Sequence, residues 1–172
     1  PSIAHGFTIA SNDVIVAIVN ANIASNTVTD NNGSTAFTSD DWGENLDSAR
    51  TYIFSRVAGA SEPSTYNWTL GSSSRWSVIL QQFRNVDASI WDVAPSAASR
   101  AIANDGDATA EAPAITIATA GAMGIVAMGD DLFPTTTTFS SVNNSYANTV
   151  SKAGQQLSIM ATKANLSTGS TG

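Results

Sequence analysis

The chain has 172 residues, 42% hydrophobic and only 12% charged, with 14 acidic against 7 basic side chains and a formal net charge of −7. That length suits one domain with a core of its own, and the few, scattered Lys and Arg argue against a nucleic-acid backbone or an anionic membrane surface as partner. Without cysteine neither a disulfide framework nor a thiolate zinc site is available, and no apolar run approaches the roughly 20 residues of a spanning helix.

Short segments rich in Val, Ile, Thr and aromatics, bounded by Gly, Asn, Asp, Ser or Pro, predict strands near 5–10, 14–20, 50–58, 65–70, 75–84, 114–118, 122–129, 136–142 and 156–164. "VIVAIV" (14–19) is apolar at every position, as expected of a central strand covered on both faces. In 50–57 the two-residue period puts Tyr52 and Phe54 on one face and Ile53 and Val57 on the other. In 75–84, Trp76, Val78 and Leu80 share a face opposite Ile79 and Phe83. The Ala-rich stretch 94–113 carries Pro95, Gly106 and Pro113 and lacks an apolar stripe at helical spacing, which predicts a long loop. "NNSYANTVSKAGQQ" (143–156) leaves room for a short helical turn.

The chain also echoes itself. "DVIVAIVNAN" (13–22) matches "MGIVAMGDD" (123–131), and "RTYIFSRVAGASEPS" (50–64) matches "QLSIMATKANLSTGS" (156–170), at similar spacing. Two related β halves are the reading, with chance similarity among β strands as the competing one. In the first half "YNWTL" follows the matched segment; the second copy has no counterpart, which predicts an unpaired edge on the strand 156–164, filled by further chain or by a neighbouring subunit.

In order, "SNDVIVAIVNAN", "RTYIFSRVAGASEPSTYNWTLGSSSRWSVILQQFRNVD", "APAITIATAGAMGIVAMGDD" and "AGQQLSIMATKANLSTGSTG" resemble a jelly-roll-like β-sandwich family of tailed-phage virion proteins. The segment "STYNWTLGSSSRWSVILQQFRNVD", read as a hairpin, carries most of the likeness. The resemblance implies an all-β, jelly-roll-like antiparallel β-sandwich of about eight or nine strands, one domain over residues 1–172, with 1–12 as an N-terminal arm or first strand. It further implies a non-enzymatic virion protein: a capsid decoration (cement) protein on the head, bound to the major capsid protein or other virion proteins, as a homo-oligomer, a trimer above all. The alternative is a carbohydrate- or receptor-binding module of a tail fibre. The family offers no catalytic residues and no cofactor to carry over.

Several side chains could carry chemistry. Asp40, Asp41, Glu44 and Asp47 crowd around Trp42, and such carboxylates suit Ca²⁺; without a complete calcium-loop spacing, a solvated loop is the stronger reading and no metal is expected. "NDGDATAE" (104–111) fails the same spacing. His5, the one histidine, stands in a terminal arm, a poor place from which to build a Ser/His/Asp triad. "ATAGAMG" lacks the Lys of a phosphate loop. Trp68 and Trp76 are expected in the core. Trp42 and Trp91, in predicted loops beside Asp, are candidates for stacking on a sugar ring, against the alternative that both cap the ends of the sandwich.

Overall fold

A computed structural model of the chain describes residues 1–22, 27–44, 49–87, 89–100, 112–130, 146–153 and 157–170. The predicted strand at 136–142 and the segment 104–111 lie outside these residues. What is described is all-β with antiparallel pairing throughout. The strands are β1 (Ser2–Ala4), β2 (Val14–Asn22), β3 (Val28–Asp30), β4 (Thr38–Glu44), β5 (Ala49–Val57), β6 (Thr65–Leu70), β7 (Trp76–Phe83), β8 (Thr116–Ile117), β9 (Ala122–Asp130), β10 (Ala147–Ala153), β11 (Leu157–Leu166) and β12 (Gly169–Ser170).

A four-stranded sheet, β4-β5-β2-β7, forms the middle layer. On one face lies β1-β6-β3, and on the other β10-β11-β9, so the sandwich has three layers over most of the central sheet. Strand β2 shows why. Its odd side chains Ile15, Ala17, Val19 and Ala21 pack with Tyr66 and Trp68 of β6, and its even side chains Val14, Val16 and Ile18 pack with Met160, Ile125 and Ala127. From Val14 to Ala21 no residue is more than 3% exposed. A strand with ladders on both edges and a layer on both faces has no position left for a polar side chain facing water, so "VIVAIV" is apolar throughout. Burying each Val or Ile stabilises the fold by about 1.5–3 kcal/mol.

Strands β5, β6, β7, β9 and β11 fall within three residues of their predicted places. Four predictions are corrected. Residues 5–10 form no strand: burial alternates from Ile3 to Ala10, but β1 reaches the start of β6 at the Ala4–Thr65 pair and the ladder ends there. His5 then anchors the chain by stacking on Phe7 and Tyr66, with Nε2 2.6 Å from the Pro63 carbonyl. The supposed hairpin 64–87 is a crossover: β6 pairs with β1 and β3 while β7 pairs with β2, so the Ser-rich turn joins two layers. β4 stands where an acidic loop was expected, and β10 where the sequence left room for a helical turn. Finally, β11 is no edge; it lies between β10 and β9.

The internal echo has a structural counterpart. The matched segments pair with each other in both halves, β2 with β5 and β9 with β11. In chain order β2, β4, β5 give the sheet order β4-β5-β2, and β9, β10, β11 give β10-β11-β9. Each edge strand also has a register shift near its start, between Ser39 and Asp41 in β4 and between Ala147 and Val150 in β10. The two units pack face to face, and one end of their interface is polar. Thr51, Asn20 and Ser77 form a row across β5, β2 and β7. Asn20 Oδ1 accepts from Thr51 Oγ1 at 3.2 Å, and the Ser77 and Ser158 hydroxyls share a 2.5 Å hydrogen bond between the sheets. Gly129, paired with Ser158, supplies the clearance: a Cβ there would collide with Thr51 Oγ1 and lie 2.7 Å from Asn20 Cγ.

Candidate functional site

Two places gather the side chains that sequence reasoning singled out, or that it missed. The first is β4. The extra residue in its bulge is Asp40, which has no ladder partner between the Ser39–Phe54 and Asp41–Ile53 pairs. Its Oδ1 accepts the Trp91 indole N–H at 2.9 Å, and Oδ2 is buried without a hydrogen bond of good geometry. Burial raises the Asp40 carboxyl above the usual carboxylate range, opposed by the nearby Ser55 hydroxyl and by Trp91. Asp41 lies 3.6 Å from Arg100 Nε in an ion pair. Asp92 Oδ2 accepts the backbone N–H groups of Ala118 and Thr119 at 2.8 and 3.2 Å; the Thr119 side chain, then these two amides, hold it below the usual range. Together these contacts pin the irregular 89–100 segment, with its 3₁₀ turn at Ala97–Ser99, over the edge of the central sheet.

Trp91 is half-buried, packed with Ile90 against the Val14, Ile18 and Phe83 cluster. Trp42 belongs to β4, opposite Tyr52 in register, rather than to a loop. Glu44 is in the same strand, opposite Arg50, and Asp47 lies outside the described residues. Among the described residues no three His, Asp or Glu side chains converge as a metal site would need.

The second place was missed. Trp76 is expected in the core, with Trp68, from its place among apolar neighbours on an adjacent strand, yet it is 38% exposed while Trp68 is 3% exposed. Trp76 does share the face of Val78, which is buried against the β6 layer, but that layer's strand ends at Leu70, so among the described residues the layer stops short of the first residue of β7. The ring emerges beside a shallow open cleft of about 370 Å³ lined by Pro1, Leu70 and the turn 71–74. Both ends of the turn are fixed: Gly71 N–H donates to the Thr27 carbonyl at 2.8 Å, and Asn22 N–H donates to the Arg75 carbonyl at 2.9 Å. A signal existed in the sequence, since a Trp directly after "GSSSR" opens its strand at the point where a covering layer is most easily outrun.

A third group, around Glu62, is a framework rather than a site. Glu62 accepts from Arg56 Nη2 at 2.8 Å, Gly59 N–H at 2.6 Å and the Tyr66 hydroxyl at 2.7 Å. Burial, and then this carboxylate, push the Tyr66 phenol well above its ordinary range. The network holds the 58–64 loop against Phe37, over which the Arg56 guanidinium lies at 5.7 Å.

The class that fold and sites define is thus an all-β protein of stacked antiparallel sheets, with a bulged acidic edge strand and an exposed Trp at a Ser-lined cleft. No protein-family model, curated protein or solved structure matches the chain.

Proposed function

We propose that this is a non-enzymatic structural protein of a tailed-phage virion, a capsid decoration protein that binds the head surface and stabilises it. The strand patterns quoted above support the assignment to virion proteins. The observation that carries the non-enzymatic reading is that side chains with catalytic or metal-binding promise are engaged in holding the fold: Asp41 on Arg100, Asp40 on Trp91, Glu62 on Arg56 and Tyr66. The mechanism is burial of apolar and hydrogen-bonding surface across capsomer boundaries, in a trimer seated at a threefold position, so that capsomers cannot part without losing those contacts. Quantitative protein stoichiometry of purified particles tests it. Copy number should scale with the shell; a few copies per particle would place the protein in the tail and overturn the decoration reading.

A second reading, a receptor-binding module of a tail fibre or other surface appendage, has one observation on its side. An exposed aromatic side chain, the feature for which Trp42 and Trp91 were candidates, occurs at Trp76.

A further inference from the structure

We infer that the Trp76 cleft is a saccharide-binding subsite for a neutral sugar ring, an inference that rests on the receptor-binding reading. Two observations carry it. A large aromatic ring, 38% exposed, stands at the first residue of β7, past the end of the β6 layer. Exposed indole is costly in water, and its flat apolar face complements the C–H face of a pyranose. Ser72, Ser73 and Ser74 line the cleft with it, the Ser74 hydroxyl donating to the Arg75 carbonyl at 3.3 Å. A serine hydroxyl both donates and accepts, so it can answer sugar hydroxyls in either sense.

Charge and size narrow the ligand class. Among the described residues no Asp, Glu, Lys or Arg side chain lines the cleft, and burial pushes its one ionisable group, the Pro1 amine, toward the neutral form, which disfavours phosphate, sulfate or ammonium groups as the recognised feature. A volume of about 370 Å³ sits at the low end of small-molecule pockets, roughly 300–1,000 Å³, and suits one ring with the rest of a glycan running into solvent. The site is also pre-formed. Backbone hydrogen bonds clamp the turn at Gly71 and Arg75, and Trp68 N–H donates to the Pro1 carbonyl at 2.8 Å behind it. A ligand therefore has little chain to order on binding. A single open subsite implies weak, millimolar affinity for one ring, raised by multivalent display on an oligomer.

The test immobilises a panel of mono- and oligosaccharides beside intact bacterial envelope fractions and applies the unmutated full chain, Trp76→Ala, Trp76→Phe and Trp91→Ala. The expected result is saccharide binding that falls at least tenfold in Trp76→Ala, persists in part in Trp76→Phe, and is unchanged in Trp91→Ala. Thermal melts of the variants check that each folds; should Trp76→Ala melt early, competition by the free sugar that quenches indole fluorescence in the unmutated chain but not in Trp76→Phe replaces it. Sugar binding that is indifferent to Trp76 overturns the site and leaves the receptor reading standing. Envelope binding with no binding to any saccharide overturns the ligand class. No binding to either surface overturns both the inference and the receptor reading.

Discussion

The two three-stranded units share strand order, pairing and the position of an edge bulge, yet their first strands have different fates. β2 is flanked by β5 and β7 and has a layer on each face; Val14 to Ala21 are all buried. Its counterpart β9 has β11 on one edge and, among the described residues, no strand on the other; Ile125 to Met128 are half-buried and Met123 is 39% exposed. Both strands read as nearly unbroken apolar runs. Burial is therefore set by how many neighbours the topology supplies, and β7, the addition that distinguishes the first unit, is what completes the enclosure of β2.

The largest expected effect breaks that comparison if it fails. Ile18→Ala removes a fully buried side chain from the interface between the units and should cost about 3–4 kcal/mol. Val126→Ala, on half-buried β9, should cost about 1 kcal/mol. Urea denaturation of the two variants reads the difference. Equal losses would mean that β9 is as enclosed as β2 and that the asymmetry is wrong.

Next comes the polar end of the interface. Gly129→Ala pushes a methyl into Thr51 and Asn20, and with both partners inside packed sheets the expected cost is about 2–3 kcal/mol. Gly6→Ala, which meets nothing within 4 Å, should be close to neutral. A thermal shift for Gly129→Ala no larger than that for Gly6→Ala would show that the sheets separate freely there.

A smaller effect asks what the buried hydroxyls contribute. Ser77→Ala leaves the Ser158 hydroxyl buried without its partner, at a cost of about 1–2 kcal/mol. Adding Ser158→Ala removes the orphan, so the double variant should lose clearly less than the two single losses added. Strict additivity would remove the hydroxyl pair as a register device between the units.

Much of this architecture was legible. Period-two patterning located β5 and β7, each with apolar side chains on both faces, and strand-forming composition between turn residues located β6, β9 and β11. The uniform run of β2 announced double coverage. What pattern could not give was partnership: nothing in "TYNWTLGSSSRWSVIL" says that its strands belong to different layers. Trp76 is misplaced for the same reason, since apolar neighbours on an adjacent strand do not tell how far the layer above them extends. β4 was hidden because "TSDDWGE" carries turn-forming acids, and only the pairing with β5 turns it into a strand with Asp40 in a bulge. The tie between Trp91 and Asp40 spans 51 positions, a distance no local signal crosses.

The last contrast lies in those bulges. In β4 the bulged residue is ionisable, whereas the residues bypassed in β10, Asn148 and Thr149, are not, so acid sensitivity of this kind belongs to the first unit. Asp40 is raised by burial; its folded value stands above an unfolded one of about 3.9. Its contribution is therefore fully present below that pH and is lost as pH rises through the folded value. Asp13, at the start of β2, has the opposite sign: the Ala10 N–H first of all, and then Gln82 and Arg84, hold it low, so its contribution is present above about pH 3.9 and is lost as pH falls through the folded value. Asp40→Asn should raise the melting temperature more at pH 7 than at pH 3, by less than about 1 kcal/mol because the carboxyl is only half-buried, with the Asn oxygen keeping the Trp91 bond. Asp13→Asn should lower it more at pH 7 than at pH 3. Melting curves at the two pH values decide the matter, and shifts of one sign for both variants would mean that the bulge holds Asp40 as favourably as the β2 turn holds Asp13.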